Sequence, residues 1–361
     1  MNPKKILIII ACLLFMPWYY CQAQDVNWHP GHYVILEEEY LEADKDPAVA
    51  LRLERFIASL PKEITGIKGG AYWYMLESSK GSYDFGVIQK QLEVCKRYGK
   101  RFFCSIYEKR FNSLRNPGPG YLIADPVFDG GVIPFAKHAG MGSTAKLWHP
   151  EVLKRFNALI VALGERFDNQ PYFEGIEFSE TAYPGEFDQA PPPKQYIDAY
   201  YSRLQTAKKA FPHCVVLQQV NFIPGDMRDF FDYCYLIGVG IGGPDLVPDQ
   251  GRNPARRRIP AYAFFPVYAG KMPLASNVES PEYMTTLKSG ASFGNFTPQS
   301  IYTMGVDTLK LNYIFWFPCE WKSANFTFFR DVIPYLEKIQ WKINTDYPSN
   351  LKPARKGLEY D

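Results

Sequence analysis

From residue 33 onward the apolar positions switch between short β-rich runs and longer stretches with helical spacing, the pattern of successive β and α units. Strands are predicted at 33–36, 67–75, 102–107, 173–179, 215–220, 235–241, 273–278 and 309–317. The intervening helices carry their own punctuation. Asp46-Pro47 pairs a capping side chain with a proline suited to the first turn and starts a helix reaching about residue 60. Behind Tyr83-Asp84-Phe85, the residues Val87, Ile88, Leu92 and Cys95 recur at helical spacing until Gly99 ends the helix. His149-Pro150 opens a helix to Phe167, and further helices are predicted at 195–210, 301–304 and 328–343. The stretch 108–148 is rich in Gly and Pro without a sustained period and reads as a long loop, as does 242–269.

Eight such units predict an α/β fold, a single (β/α)8 TIM barrel with long loops after strands three and six. The competitor is an open doubly wound sheet, but no Gly-rich phosphate loop follows the first strand. The amino-terminal stretch reads differently. Lys4 and Lys5 precede an apolar run over 6–15, and Cys21-Gln22-Ala23 suits a signal peptidase, so 1–23 is predicted to be a signal peptide and 24–361 the barrel domain. The run is short of the roughly 20 residues a membrane span needs. A soluble product, secreted or periplasmic, is therefore expected; a lipid anchor on Cys21 fits less well, because Pro17-Trp18-Tyr19-Tyr20 lacks small aliphatic residues.

Formal net charge is +2, which gives no reason to invoke nucleic acid or membranes as partners. Aromatic residues make up 16% of the chain, enough to place some Trp and Tyr at surfaces or clefts, which favours a ligand that is stacked upon, such as sugar. Beyond the signal, Cys95, Cys104, Cys214, Cys234 and Cys319 are odd in number and lack metal-type spacing. Cys214 and Cys234, each read as opening a strand, are a candidate bridge; buried free thiols are the alternative.

Candidate chemistry lies where barrel strands end. Strand four ends Glu177-Phe178-Ser179-Glu180, and strand seven ends Asn277-Val278-Glu279. Two carboxyls on that rim are the equipment for cleaving a glycosidic bond, one protonating the leaving oxygen and the other attacking or activating water. With Trp73-Tyr74-Met75-Leu76-Glu77, Gly81-Ser82-Tyr83-Asp84-Phe85, Leu147-Trp148-His149-Pro150, Arg166-Phe167-Asp168, Pro171 and Trp316, the chain resembles the clan of retaining β/α-barrel glycoside hydrolases, which includes cellulase-like and β-galactosidase-like families. The resemblance is diffuse over most of the chain. It implies Glu180 as acid/base, Glu279 as nucleophile, a Trp316 platform beneath the sugar, a polysaccharide or oligosaccharide substrate, and no cofactor. Two departures stand out: Ser179 occupies a place where many members have Asn, and strand six ends Gly242-Gly243-Pro244-Asp245, which makes Asp245 a candidate third carboxylate.

Strand parity separates the candidates. Glu279 is in phase with Ala275 and Asn277 and should point inward, whereas strict alternation on strand four puts Glu177 and Ser179 inside, so that Glu180 requires a bulge and Glu177 is the fallback. Trp73, Ser179, Asp245, Asn277 and Trp316 are the candidate substrate contacts, with Trp73 and Trp316 open to core packing as well. His32, His138 and His149 have no metal or triad spacing and read as structural. Arg252, Arg256, Arg257 and Arg258 in one long loop, with Lys137 and His138 in the other, read as a solvated basic rim or as contacts for a sulfated or uronic glycan. Three functions follow: a retaining glycosidase, a non-catalytic glycan-binding barrel, and an inverting hydrolase using Asp245.

Overall fold

The computed structural model describes residues 26–111, 116–134, 142–183, 192–248, 259–284 and 294–352. Eight parallel strands close into a barrel in sequence order: β1 (Gly31–Ile35), β2 (Gly66–Tyr72), β3 (Arg101–Tyr107), β4 (Phe173–Phe178), β5 (Val215–Gln219), β6 (Gly240–Gly243), β7 (Leu274–Val278) and β8 (Tyr313–Trp316). The predicted barrel is the observed one. Pairing of Gly31 to Val34 with Tyr313 to Trp316 closes the ring between β1 and β8, leaving no exposed barrel edge.

The helices begin where their caps lie. Asp46 accepts from the amides of Ala48 and Val49 (2.7 and 3.4 Å) at the start of α1 (Pro47–Ser59), and α2 (Gly86–Arg97) stops before Gly99, whose φ of 66° suits a residue without a Cβ. Next come α3 (Pro150–Phe167), α4 (Pro193–Ala210) and α5 (Met227–Leu236). After β6 the described residues hold two 3-10 turns, Pro260–Ala263 and Phe265–Tyr268, in the place of a sixth long helix. The short α6 (Pro298–Tyr302) runs into a π-helical stretch, and α7 (Ile333–Lys338) closes the chain's last unit.

Several boundaries differ from expectation for identifiable reasons. Strand two stops at Tyr72 because Trp73–Leu76 turns into a single helical turn. Strand six does not begin at 235: Cys234, Tyr235 and Leu236 finish α5, and the strand is the glycine-rich Gly240–Gly243. Cys234 therefore opens no strand, and no bridge to Cys214 forms; all five described cysteines are free and buried. The excursion after β3 is not structureless either. Lys109–Arg110, Val132–Pro134 and Ser143–Ala145 pair as a small antiparallel sheet.

The barrel interior changes character along its axis. Its lower part is apolar and aromatic, from Tyr33, Phe103, Val215, Leu217, Ala275, Tyr313 and Phe315, each such large side chain contributing roughly 1.5–3 kcal/mol through burial. Toward the carboxyl ends of the strands the inward residues become Lys68, Ser105, Glu177, Gln219 and Asn277. Polar groups buried at that cost need partners, and those partners build the mouth.

Candidate active site

Parity holds on β4 as far as the strand goes. Glu177 points into the barrel, ion-paired with Lys68 and accepting from Ser105 Oγ (3.3 Å). The strand ends at Phe178, so Ser179 and Glu180 lie in irregular backbone and no bulge within the strand is required to bring Glu180 to the mouth. Glu180 Oε2 accepts from Asn221 Nδ2 at 2.5 Å, just past the end of β5.

Across the mouth, Glu279 follows β7 directly. Asn277 donates from Nδ2 to Glu279 Oε1 (2.8 Å), while Lys68 Nζ donates to Asn277 Oδ1 (2.7 Å). The ammonium fixes which way the amide faces, and the amide presents its N–H to the carboxylate. Asp245 comes from the end of β6. Its carbonyl accepts from the Tyr262 hydroxyl, and the next amide, Leu246 N, donates to Asn277 O (2.7 Å), locking the β6 and β7 ends together.

Electrostatics tie these three carboxyls into one group. Burial, then the charge of Asp245, pushes Glu180 up to about 8, against the pull of Lys109; Glu279 adds to the rise. Burial pushes Glu279 up to about 7, with Lys68 pulling down and Asp245 pushing up. Asp245 itself is raised by burial to about 6. Two carboxyls that hold protons near neutrality, with different holds, can divide an acid role from a base role. Glu282, fully buried in the turn after Glu279, is raised well above the carboxylate range by burial and by Asp245 and Glu279.

The expected sites thus separate into two groups. Glu180, Asp245, Glu279 and Asn277 meet at the mouth, with Ser179 beside Glu180 and its Oγ without a partner among the described residues. Trp73 and Trp316 do not join them. Both are fully buried: Trp73 Nε1 donates to Glu77 Oε2 (2.9 Å), and Trp316 Nε1 donates to His32 Nδ1 (3.1 Å). Trp316 is level with Val34 and Val278, which face the helices, so it packs outside the barrel wall and offers no face to a sugar. His32 is structural as expected, its ring pushed down to about 4 by burial. Past the end of β8, Trp321 is exposed and edge-on to Phe317 (6.0 Å).

Sequence reasoning missed Lys68, Asn221 and Lys109. Lys68 had a signal: a cation in an apolar strand, in phase with Gly66 and Gly70, is an inward charge. The Arg252, Arg256, Arg257 and Arg258 group and Lys137 with His138 lie outside the described residues, as does the predicted signal 1–23. Among the described residues no cluster of three or more His, Cys, Asp or Glu is arranged to hold a metal, and no helix is long and apolar enough to cross a membrane. A pocket of about 540 Å³ lined by Asp129, Gly130, Val132, Lys146 and Trp148 belongs to the β3 excursion and contains none of the three carboxyls.

Solved structures share this architecture. The catalytic domain of a β-amylase from Paenibacillus polymyxa superposes with a TM-score of 0.60 at 9% identity, over 90% of this chain and 100% of that one. The chain shares their barrel fold. A GH5_18 protein from Streptomyces cattleya in complex with GlcNAc matches with a TM-score of 0.55 at 11% identity, over 80% of this chain and 70% of that one. A β-galactosidase from the haloarchaeon Halorubrum lacusprofundi matches with a TM-score of 0.54 at 10% identity, over 84% of this chain and 54% of that one. No protein-family model matches the chain, and no curated protein matches it.

Proposed function

We propose that this barrel is an exported glycoside hydrolase acting on a polysaccharide or oligosaccharide by a retaining mechanism, with Glu180 as acid/base and Glu279 as nucleophile. The observation that carries the reading is the matched pair of carboxyls past β4 and β7, each held by one asparagine amide. Asn221 occupies Oε2 of Glu180, so Oε1 carries the proton for the leaving oxygen. Asn277 occupies Oε1 of Glu279, so Oε2 attacks the anomeric carbon. The C–O bond to the leaving group breaks as the ester to Glu279 forms, and Glu180, now ionised, takes a proton from the water that releases the sugar. The barrels of the β-amylase and β-galactosidase above support a carbohydrate substrate by fold alone. The basic loop residues Arg252, Arg256, Arg257 and Arg258 support an anionic glycan by charge.

Azide separates the two roles. Glu279→Ala leaves space at the anomeric carbon, so azide restores turnover of an activated aryl glycoside and gives a glycosyl azide of inverted configuration. Glu180→Ala still forms the intermediate from that substrate, and azide releases a product of retained configuration. Absence of both rescues, with reducing ends still released by the wild type, overturns the retaining assignment. A second reading, inversion with Asp245 as base, draws support from the charge of Asp245 acting on both glutamates; the anomeric configuration of the first product by NMR decides between them.

A further inference from the structure

Past Phe178 the chain has left the sheet, and the carbonyl oxygens of the segment bearing Glu180 lose their strand partners. Buried carbonyls need donors, and here side chains supply them. Gln218 Nε2 donates to Ser179 O (2.8 Å), Lys109 Nζ to Glu180 O (2.6 Å), and the Tyr196 hydroxyl to Ala182 O (2.9 Å). Between them, the Asn221 amide donates to Thr181 Oγ1 (3.3 Å). The donors are themselves joined. Lys109 Nζ also donates to the Tyr200 hydroxyl (2.5 Å), which meets that of Tyr196 at 2.9 Å. Fully buried Arg203 spans from Glu108 Oε1 (2.8 Å) to Gln218 Oε1, linking the arm through β5 with the arm through the β3 excursion.

We propose that Lys109 is a positioning residue that sets the place and orientation of Glu180 by gripping its main-chain carbonyl from within this buried network. The inference rests on the acid/base reading of Glu180. Lys109 is 4% exposed, with its ammonium taken up by Glu180 O and the Tyr200 hydroxyl, so it acts through the glutamate and not on a sugar. Its charge has a second effect. Facing Glu180 are Asp245 and Glu279, which raise it, Asn221, which donates to it, and the cation Lys109, which lowers it; facing Lys109 are Glu108, Tyr196 and Tyr200, with Arg203 behind them. Removing the ammonium frees the segment and tightens the hold of Glu180 on its proton.

The test compares phenyl and 2,4-dinitrophenyl glycosides of a sugar the wild type hydrolyses, because only the phenyl leaving group needs the acid. Lys109→Met is expected to lower kcat/KM on the phenyl glycoside about 10- to 100-fold, to leave the dinitrophenyl glycoside within a few-fold, and to move the alkaline limb to higher pH. Lys109→Arg, which keeps the charge, recovers the limb. Tyr196→Phe, which removes the donor to Ala182 without changing charge, gives a smaller selective loss and an unmoved limb, and serves if the methionine variant does not fold. Equal losses on both substrates, or no loss, overturn the positioning role. A Glu180→Gln enzyme with undiminished activity on the phenyl glycoside overturns the acid/base reading itself, and the positioning role falls with it.

Discussion

Asn277 joins a buried ion pair on one side of the barrel to Glu279 on the other, and Asp245 carries the charge that Glu279 and Glu180 both feel. The pH dependence follows from those placements. Under the proposed roles, the acidic limb of kcat/KM reports ionised Glu279, about 7, and the alkaline limb protonated Glu180, about 8, and a narrow bell between them is expected. Asp245 opposes ionisation of both glutamates; Asp245→Asn therefore moves both limbs to lower pH while the enzyme still turns over. A dead Asp245→Asn enzyme makes Asp245 a reacting group. At this scale the sequence brought Glu279 to the mouth by a sound argument and Glu180 by a mistaken one. Glu279 was legible from parity with Ala275 and Asn277. Glu180 required a bulge only because the strand was carried to Ser179, and its true end is set by donors at positions 109, 196 and 218, which no local pattern connects.

Trp316 shows how an element decides a residue's meaning. Alternation along β8 puts Tyr313 and Phe315 in the interior cluster and Ile314 and Trp316 against the helices, a reading available from the sequence once the strand's own phase is applied instead of its place on the rim. Trp316→Ala is accordingly expected to cost about 3–5 kcal/mol of unfolding free energy in urea, with activity per folded molecule close to wild type. A fully stable variant with a raised KM puts the ring in a subsite after all. Strand six was misplaced for a different reason. Tyr235 and Leu236 are apolar and β-prone but complete α5, Leu236 being 80% exposed, while the strand itself is nearly all glycine. Gly243 has no room for a Cβ, which would sit 2.4 Å from the Tyr262 hydroxyl oxygen, so the requirement that erased the strand's signal comes from a residue nineteen positions away. Caps fared best: Asp46 and Gly99 act within one turn of themselves, and they were read correctly.

Over the whole molecule, a mouth of raised carboxyls sets a pH dependence of stability. Glu180 and Glu279 hold protons more tightly folded than unfolded, so between about 4.5 and 8 the folded state binds more protons and unfolding free energy falls as pH rises. Glu180→Gln escapes that cost. It is expected to be more stable than wild type by about 2–4 kcal/mol at pH 9 and to match it at pH 4, by thermal or urea unfolding; a constant difference across that range refutes the linkage. At the opposite end of the barrel, the described chain enters and leaves together. Asn27 N donates to His213 O ahead of β5, Trp28 packs edge-on to Tyr313 (5.4 Å), Asn350 N donates to Lys271 O ahead of β7, and Val26 and Leu351 share the interior cluster. Both ends of the described chain therefore lie at the floor, the face opposite the carboxyl-lined mouth, so a bead or fusion partner tethered on that side would leave the mouth unobstructed.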